Sequence, residues 1–89
     1  MNFITEPERI YLNDEDGNMI AEVTFPIRNG VAIIDHTYVD DSLRGQGVAG
    51  KLLELAVQNI ESQELKIAPI CSYAKMWFEK HPEKSDLLK

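Results

Sequence analysis

Eighty-nine residues, 44% hydrophobic and 27% charged, carry nine Lys and Arg against fifteen Asp and Glu, a net charge of −6. A chain of this length buries only about 60–65% of its unfolded surface, so one compact domain over residues 1–89 is expected, with no room for a second. The acidic balance argues against a nucleic-acid partner, which needs clustered cations, and no apolar run approaches the ~18–20 residues that cross a bilayer, so a cytoplasmic protein with no membrane partner is expected.

The first half reads as strands. Arg9 to Asn13 alternates apolar and polar residues and runs into Asp14-Glu15-Asp16-Gly17-Asn18, a turn-forming cluster. Met19, Ala21, Val23 and Phe25 follow at a spacing of two, with Glu22 and Thr24 on the other face, and Pro26 ends this strand or places it near an edge. Arg28-Asn29-Gly30 supplies a hairpin turn, and Val31 to Val39 forms the third strand of an antiparallel meander.

The period then changes. Val48, Ala49, Leu52, Leu53, Ala56, Val57 and Ile60 make the apolar stripe of a helix packed on a sheet. Leu65 to Ile70 reads as a buried fourth strand, and Ser72 as the N-cap of a last helix with Ala74, Trp77 and Phe78 inward. His81-Pro82 stops that helix. Glu83 to Lys89 is expected to fray, although Leu87 and Leu88 offer a docking point. The order is β-β-β-α-β-α, an α+β fold. Its third and fourth strands lie parallel through a right-handed crossover and part at the start of the helix between them.

Ser42 to Lys51 is the stretch dense with special residues. It follows a strand, opens a helix, holds three glycines, and carries Arg44 and Lys51 with no acid between them. Helix N-termini expose unpaired N–H groups and partial positive charge, so the segment reads as an anion cradle, most simply for phosphate, against the plainer reading of a glycine-rich turn. Gly45-x-Gly47-x-x-Gly50 fits the dinucleotide fingerprint only in spacing, because five residues separate the preceding strand from its first glycine and no acid ends the next strand. Gly45-x-x-x-x-Gly50-Lys51 is a P-loop with Leu52 where Ser or Thr must hold Mg²⁺.

The third pattern is Arg44-x-x-Gly47-x-Ala49 between a strand and an amphipathic helix. It resembles the acetyl-CoA-binding motif of the GNAT superfamily of N-acetyltransferases. With His36-Thr37-x-Val39 upstream and Pro69-Ile70-Cys71-Ser72-Tyr73 downstream, the chain is similar to the small single-domain, GNAT-like proteins over roughly Ile10 to Pro82. The resemblance implies a truncated GNAT-like domain with acetyl-CoA (coenzyme A) as cosubstrate. It implies that the turn Arg44, Gly45, Gln46, Gly47, Val48 and Ala49 holds the pyrophosphate through its amides and the Arg44 charge. The pantetheine arm would bond to backbone near Tyr38 and Val39, with the thioester close to Val39 and Asp40.

Two departures from the family pattern matter. Larger members carry helices between the first two strands, where this chain has only the turn Asp14 to Asn18. An open acceptor side is therefore expected, suiting a protein or polyamine amine. The family's Asn-x-x-Ala-x-x-x-Tyr reads here as Cys71-x-x-Ala74-x-x-x-Phe78, so the usual tyrosine proton donor is missing. Cys71 enters a helix N-terminus, a setting that favours thiolate. It reads either as a group that accepts acetyl, paired with His36 as base, or as a small buried hydrophobe. His36 is likewise either that base or a satisfied strand residue. One cysteine makes no internal disulfide, and with two His it makes no metal site, so none is expected. The expected function is an acyl-CoA-dependent N-acetyltransferase, monomeric or weakly dimeric, acting on an unidentified amine. The alternative is a non-catalytic CoA-binding or protein-interaction module.

Overall fold

Alternation in the first half becomes strands in the computed structural model, which describes residues 2–89. In chain order these are β1 (Ile4–Glu6), β2 (Arg9–Asn13), β3 (Met19–Thr24), β4 (Ile27–Arg28), β5 (Val31–Ile34) and β6 (His36–Val39). A 3₁₀ turn at Asp41–Leu43 leads to α1 (Val48–Ser62), then β7 (Lys66–Pro69), α2 (Ser72–Lys80) and a closing 3₁₀ segment, Pro82–Leu87. The α+β, GNAT-like order survives, with two short strands added, β1 and β4.

The strands form two sheets. The first runs β1-β2-β3-β6, antiparallel throughout, and the second runs β4-β5-β7, with β5 and β7 parallel. The expected third strand, Val31 to Val39, is therefore two strands: β5 belongs to one sheet and β6 to the other. The break falls at Asp35, whose amide donates to the Thr24 carbonyl at 3.3 Å while its carboxylate accepts from the Thr24 hydroxyl at 2.6 Å. It also shifts the side-chain phase. Ala32 and Ile34 point inward from β5, whereas Thr37 and Val39, opposite buried Val23 and Ala21, point inward from β6. A shift of one residue sends every later side chain to the other face.

One core joins the layers. Ile10, Leu12, Ala21, Val23 and Phe25 from the first sheet and Ala32, Ile34 and Ile67 from the second meet the stripe Val48, Leu52, Leu53, Ala56, Val57 and Ile60 of α1. Burying the Val, Leu, Ile and Phe side chains among these contributes about 1.5–3 kcal/mol each. Met19 departs from the expected inward set and is exposed, because a register shift between Leu12 and Asn13 pairs it with Asn13 and turns it outward. Asn29 and Gly30, at φ 52° and 79°, make the β4–β5 hairpin turn foreseen from Asn-Gly.

Two C-terminal expectations change. Cys71, not Ser72, is the N-cap of α2: its sulfur accepts the Ala74 amide at 3.4 Å. The last residues do not fray. Leu88 bridges to Ile67, the Lys89 amide donates to the Ile67 carbonyl at 3.0 Å, and Lys84 pairs with Glu61 at 3.0 Å. Among the described residues no helix is long and apolar enough to cross a membrane.

Candidate functional site

The parting of the sheets makes the site. The amides of Ile70 and Cys71 both donate to the Ile34 carbonyl, at 3.0 and 3.2 Å, and close the β5–β7 pairing. Beyond that point β6 turns to β3, the chain after β7 turns into α2, and a gap opens between them. β6 is an edge strand on this side. The Asp40 amide donates to the Ile20 carbonyl at 2.8 Å, so by antiparallel alternation Tyr38 and His36 direct their peptide groups to β3. Thr37 and Val39 direct theirs to the open gap. Of the two strand residues named for a pantetheine arm, Val39 turns its peptide group to the gap and Tyr38 turns its own to β3.

The glycine turn closes the other side. Asp40 caps the 3₁₀ turn by accepting the Ser42 amide at 3.0 Å. Donors from Ser42, its hydroxyl first and its amide second, together with the Tyr38 hydroxyl, hold the Asp40 carboxyl below the usual aspartate range. Gly45 and Gly47 then adopt φ 81° and 71°, conformations that L side chains rarely adopt. Gly47 caps α1 with no side-chain bond, so the amides of Val48, Ala49 and Gly50 begin the helix without intrahelical acceptors. The Arg44 and Gln46 amides are committed to the turn, donating to Asp41 and Leu43 carbonyls at 3.1 and 3.2 Å. The Gln46 side chain donates to the Ser42 carbonyl at 3.4 Å. Gln46 thus has both its amide and its side chain bonded within the turn. Arg44 is no isolated charge either, since it pairs with Asp41 at 3.0 Å, and Lys51 lies 3.6 Å from Glu54.

Between gap and turn lies a cavity of about 340 Å³, lined among others by Thr37, Val39, Arg44, Gly45, Gly47, Val48, Ala49 and Tyr73. A second groove of about 420 Å³ runs between α1 and α2, past Lys51, Met76, Trp77, Lys80 and His81. Gly47 and Tyr73 border both. This groove, and the place of Tyr73 at the border of both cavities, were not foreseen from the sequence. The signal was there in part, since Tyr73 and Met76 stand three apart on α2 and both are exposed. His81, expected only to end the helix, stacks on Trp77 with ring centroids 3.9 Å apart and bonds through Nδ1 to the Trp77 carbonyl at 2.7 Å.

Cys71 and His36 are not brought together. Cys71 is half-buried, and its sulfur lies 3.5 Å from the Thr37 hydroxyl, just behind the cavity wall. His36 occupies the opposite face of β6, 52% exposed, with Nε2 3.5 Å from a Glu22 carboxylate oxygen. Glu22 is itself held by Arg9 at 2.6 Å. The phase change at Asp35 is the reason: the even positions face inward on β5 and outward on β6. His36 as a base directly paired with Cys71 does not fit this arrangement. Phe78, in the position of the family's tyrosine, is buried.

The family model described as GCN5-related N-acetyl-transferase matches residues 9–87. A GCN5-like protein of Staphylococcus aureus, solved by NMR, is 36% identical over 99% of this chain and 87% of its own, with a TM-score of 0.79. An acetyltransferase from Bacillus cereus, 22% identical, shares the fold at a TM-score of 0.69 over 82% of this chain and 54% of its own. A ribosomal-protein alanine N-acetyltransferase from Escherichia coli does so at 18% identity and 0.66, over 89% and 51%. The chain thus spans about half the length of these two larger enzymes.

Proposed function

The chain belongs to the GCN5-related N-acetyltransferase family, and from that premise we propose that it transfers an acetyl group from acetyl-CoA to an amine through Cys71. The observation that carries this reading is the cavity at the parting of the sheets, bordered by the glycine turn on one side and the free edge of β6 on the other.

The residues fit the substrate. The amides of Val48 and Ala49, beside a Gly47 whose missing Cβ leaves open space, face an anion as a helix N-terminus does. Val39 and Thr37 offer strand peptide groups to an extended amide-bearing arm. The groove between α1 and α2, with Lys51, Lys80 and the aromatic pair Trp77 and His81, lies where the nucleotide end would continue. The thioester would then lie at the inner end of the gap, next to Thr37 and within reach of Cys71.

In the proposed reaction the Cys71 thiolate attacks the thioester carbonyl. A new S–C bond forms, the bond from the acyl carbon to the CoA sulfur breaks, and CoA leaves with the electron pair and takes a proton from solvent. A neutral amine then attacks the cysteine thioester, its nitrogen loses a proton to solvent, and Cys71 is regenerated as thiolate. This route does not require the tyrosine donor that Phe78 replaces. The acceptor class is a protein or polyamine amine. The chain has only the turn Asp14 to Asn18 between β2 and β3, with no helix there to enclose a small acceptor.

Acetyl-CoA titrated into ¹⁵N-labelled protein is expected to move the amides of Val39, Gly47, Val48 and Ala49 saturably. Intact mass is expected to show one acetyl group on Cys71, discharged by added spermidine. Cys71→Ala keeps the amide shifts and loses the acetyl group. No shifts at millimolar acetyl-CoA overturns the cosubstrate assignment, and saturable shifts without acetylation or transfer by the unmodified protein make the chain a CoA-binding module instead.

A further inference from the structure

We infer that Thr37 is a positioning residue for Cys71, its hydroxyl holding the sulfur at the inner end of the gap and donating to it when it carries negative charge. The inference rests on the proposed role of Cys71 and adds a residue to it.

The geometry is specific. Thr37 is the first inward residue after the break at Asp35; it lines the cavity and its hydroxyl lies against the Cys71 sulfur. The sulfur lies 3.5 Å from the Thr37 hydroxyl and 3.4 Å from the Ala74 amide. The amide can only donate. A thiolate here therefore accepts from two donors, one fixed by helix α2 and one carried on β6, across the line where the sheets part. A neutral thiol still accepts from Ala74 and can donate its own proton to the threonine oxygen. The hydroxyl thus holds the sulfur in either form, which a methyl group cannot do.

Thr37 is restrained for this task. Its Cα partner on β3 is buried Val23, and the alternation anchored at Asp40 makes this a non-hydrogen-bonded pair, in which side chains stand closest. Branching at Cβ limits its rotamers. The neighbouring hydroxyl on β3, Thr24, is on the outer face and bonded to Asp35. No other hydroxyl bonds to Cys71 among the described residues.

The test reads the thiol directly, without acetyl-CoA. Alkylation of the folded protein by iodoacetamide is followed against pH in the unmodified chain and in Thr37→Val and Thr37→Ser, with folding checked by amide spectra. In Thr37→Val the half-maximal pH is expected to rise by about one unit, the effect of one lost hydrogen bond to a charged group. Thr37→Ser restores the original profile. An unchanged profile in folded Thr37→Val overturns the inference. So does a Ser variant that behaves like Val, since the methyl group's packing would then be responsible. Failure of Cys71 to acquire acetyl in the unmodified protein would overturn the proposed reaction while leaving this titration readable.

Discussion

Asp40 ties the end of β6 to the glycine turn, and its protonation controls that joint. Its carboxyl is held below the ordinary aspartate value of 3.8 by Ser42, through hydroxyl and then amide, and by the Tyr38 hydroxyl, which donates to Oδ1 at 3.1 Å. Tyr38 in turn is raised above its ordinary 10.0, first by that bond to Asp40, then by burial and the charges of Asp40 and Asp41. A depressed carboxylate adds stability that is complete above its unfolded value and disappears as pH falls through the folded one. A raised phenol adds stability that is complete below its unfolded value and is lost as pH climbs through the folded one. The turn is therefore expected to keep one conformation from about pH 4 to about pH 10, with the Ser42 and Leu43 amide shifts moving together beyond each end. Tyr38→Phe removes one donor, so the acid transition is expected at higher pH. A transition that stays in place would mean that the Tyr38 bond does not form in solution.

At the level of elements, α1 begins with two glycines under opposite constraints. Gly47 stands at φ 71° with open space where a Cβ would be, so alanine there meets no clash but is forced into a left-handed conformation. Gly47→Ala is expected to cost about 1–2 kcal/mol. Gly50 lies inside the helix, also with open space around a Cβ, so Gly50→Ala is expected to stabilise by about 0.5–1 kcal/mol. Chemical denaturation of both variants checks the pair, and equal signs would mean that the turn relaxes around Gly47. This turn was legible in the sequence because glycine marks both positive φ and close approach. The apolar stripe of α1 was equally legible, since seven buried positions follow one period. What could not be read was the phase change at Asp35. Val31 to Val39 looks like one strand, and only the arrival of β7 on one side and β3 on the other splits it. His36 was therefore read as a partner for Cys71, with which the structure does not bring it together, and Thr37 was given no role. β1 escaped notice because all three of its residues are exposed and carry no alternation. Sulfur is not among the usual N-capping atoms, so Ser72 was read as the cap and Cys71 was not considered for it.

The whole molecule carries −6 within 37 × 25 × 18 Å, yet its proposed substrate is an anion. The two cavities present three cations, Arg44, Lys51 and Lys80, beside three acids, Asp40, Asp41 and Glu54. Local charge nearly cancels, and Arg44 and Lys51 each stand beside one of those acids. Neutral groups, the first amides of α1 and the free edge of β6, must then supply most of the affinity. Ionic strength separates these contributions. At about 0.01 M salt the screening length is about 30 Å, so acetyl-CoA feels the repulsion of nearly the entire protein; at about 0.15 M it is about 8 Å, and only the cavity's own groups act. Affinity for acetyl-CoA, measured by amide-shift titration, is expected to hold steady or tighten by about twofold across that range. A phosphate site built from unpaired lysines would weaken instead, as counterions compete for it. Weakening by about tenfold would show that Arg44 and Lys51 leave their carboxylates and, with Lys80, grip the substrate, and would overturn the assignment of binding to the backbone.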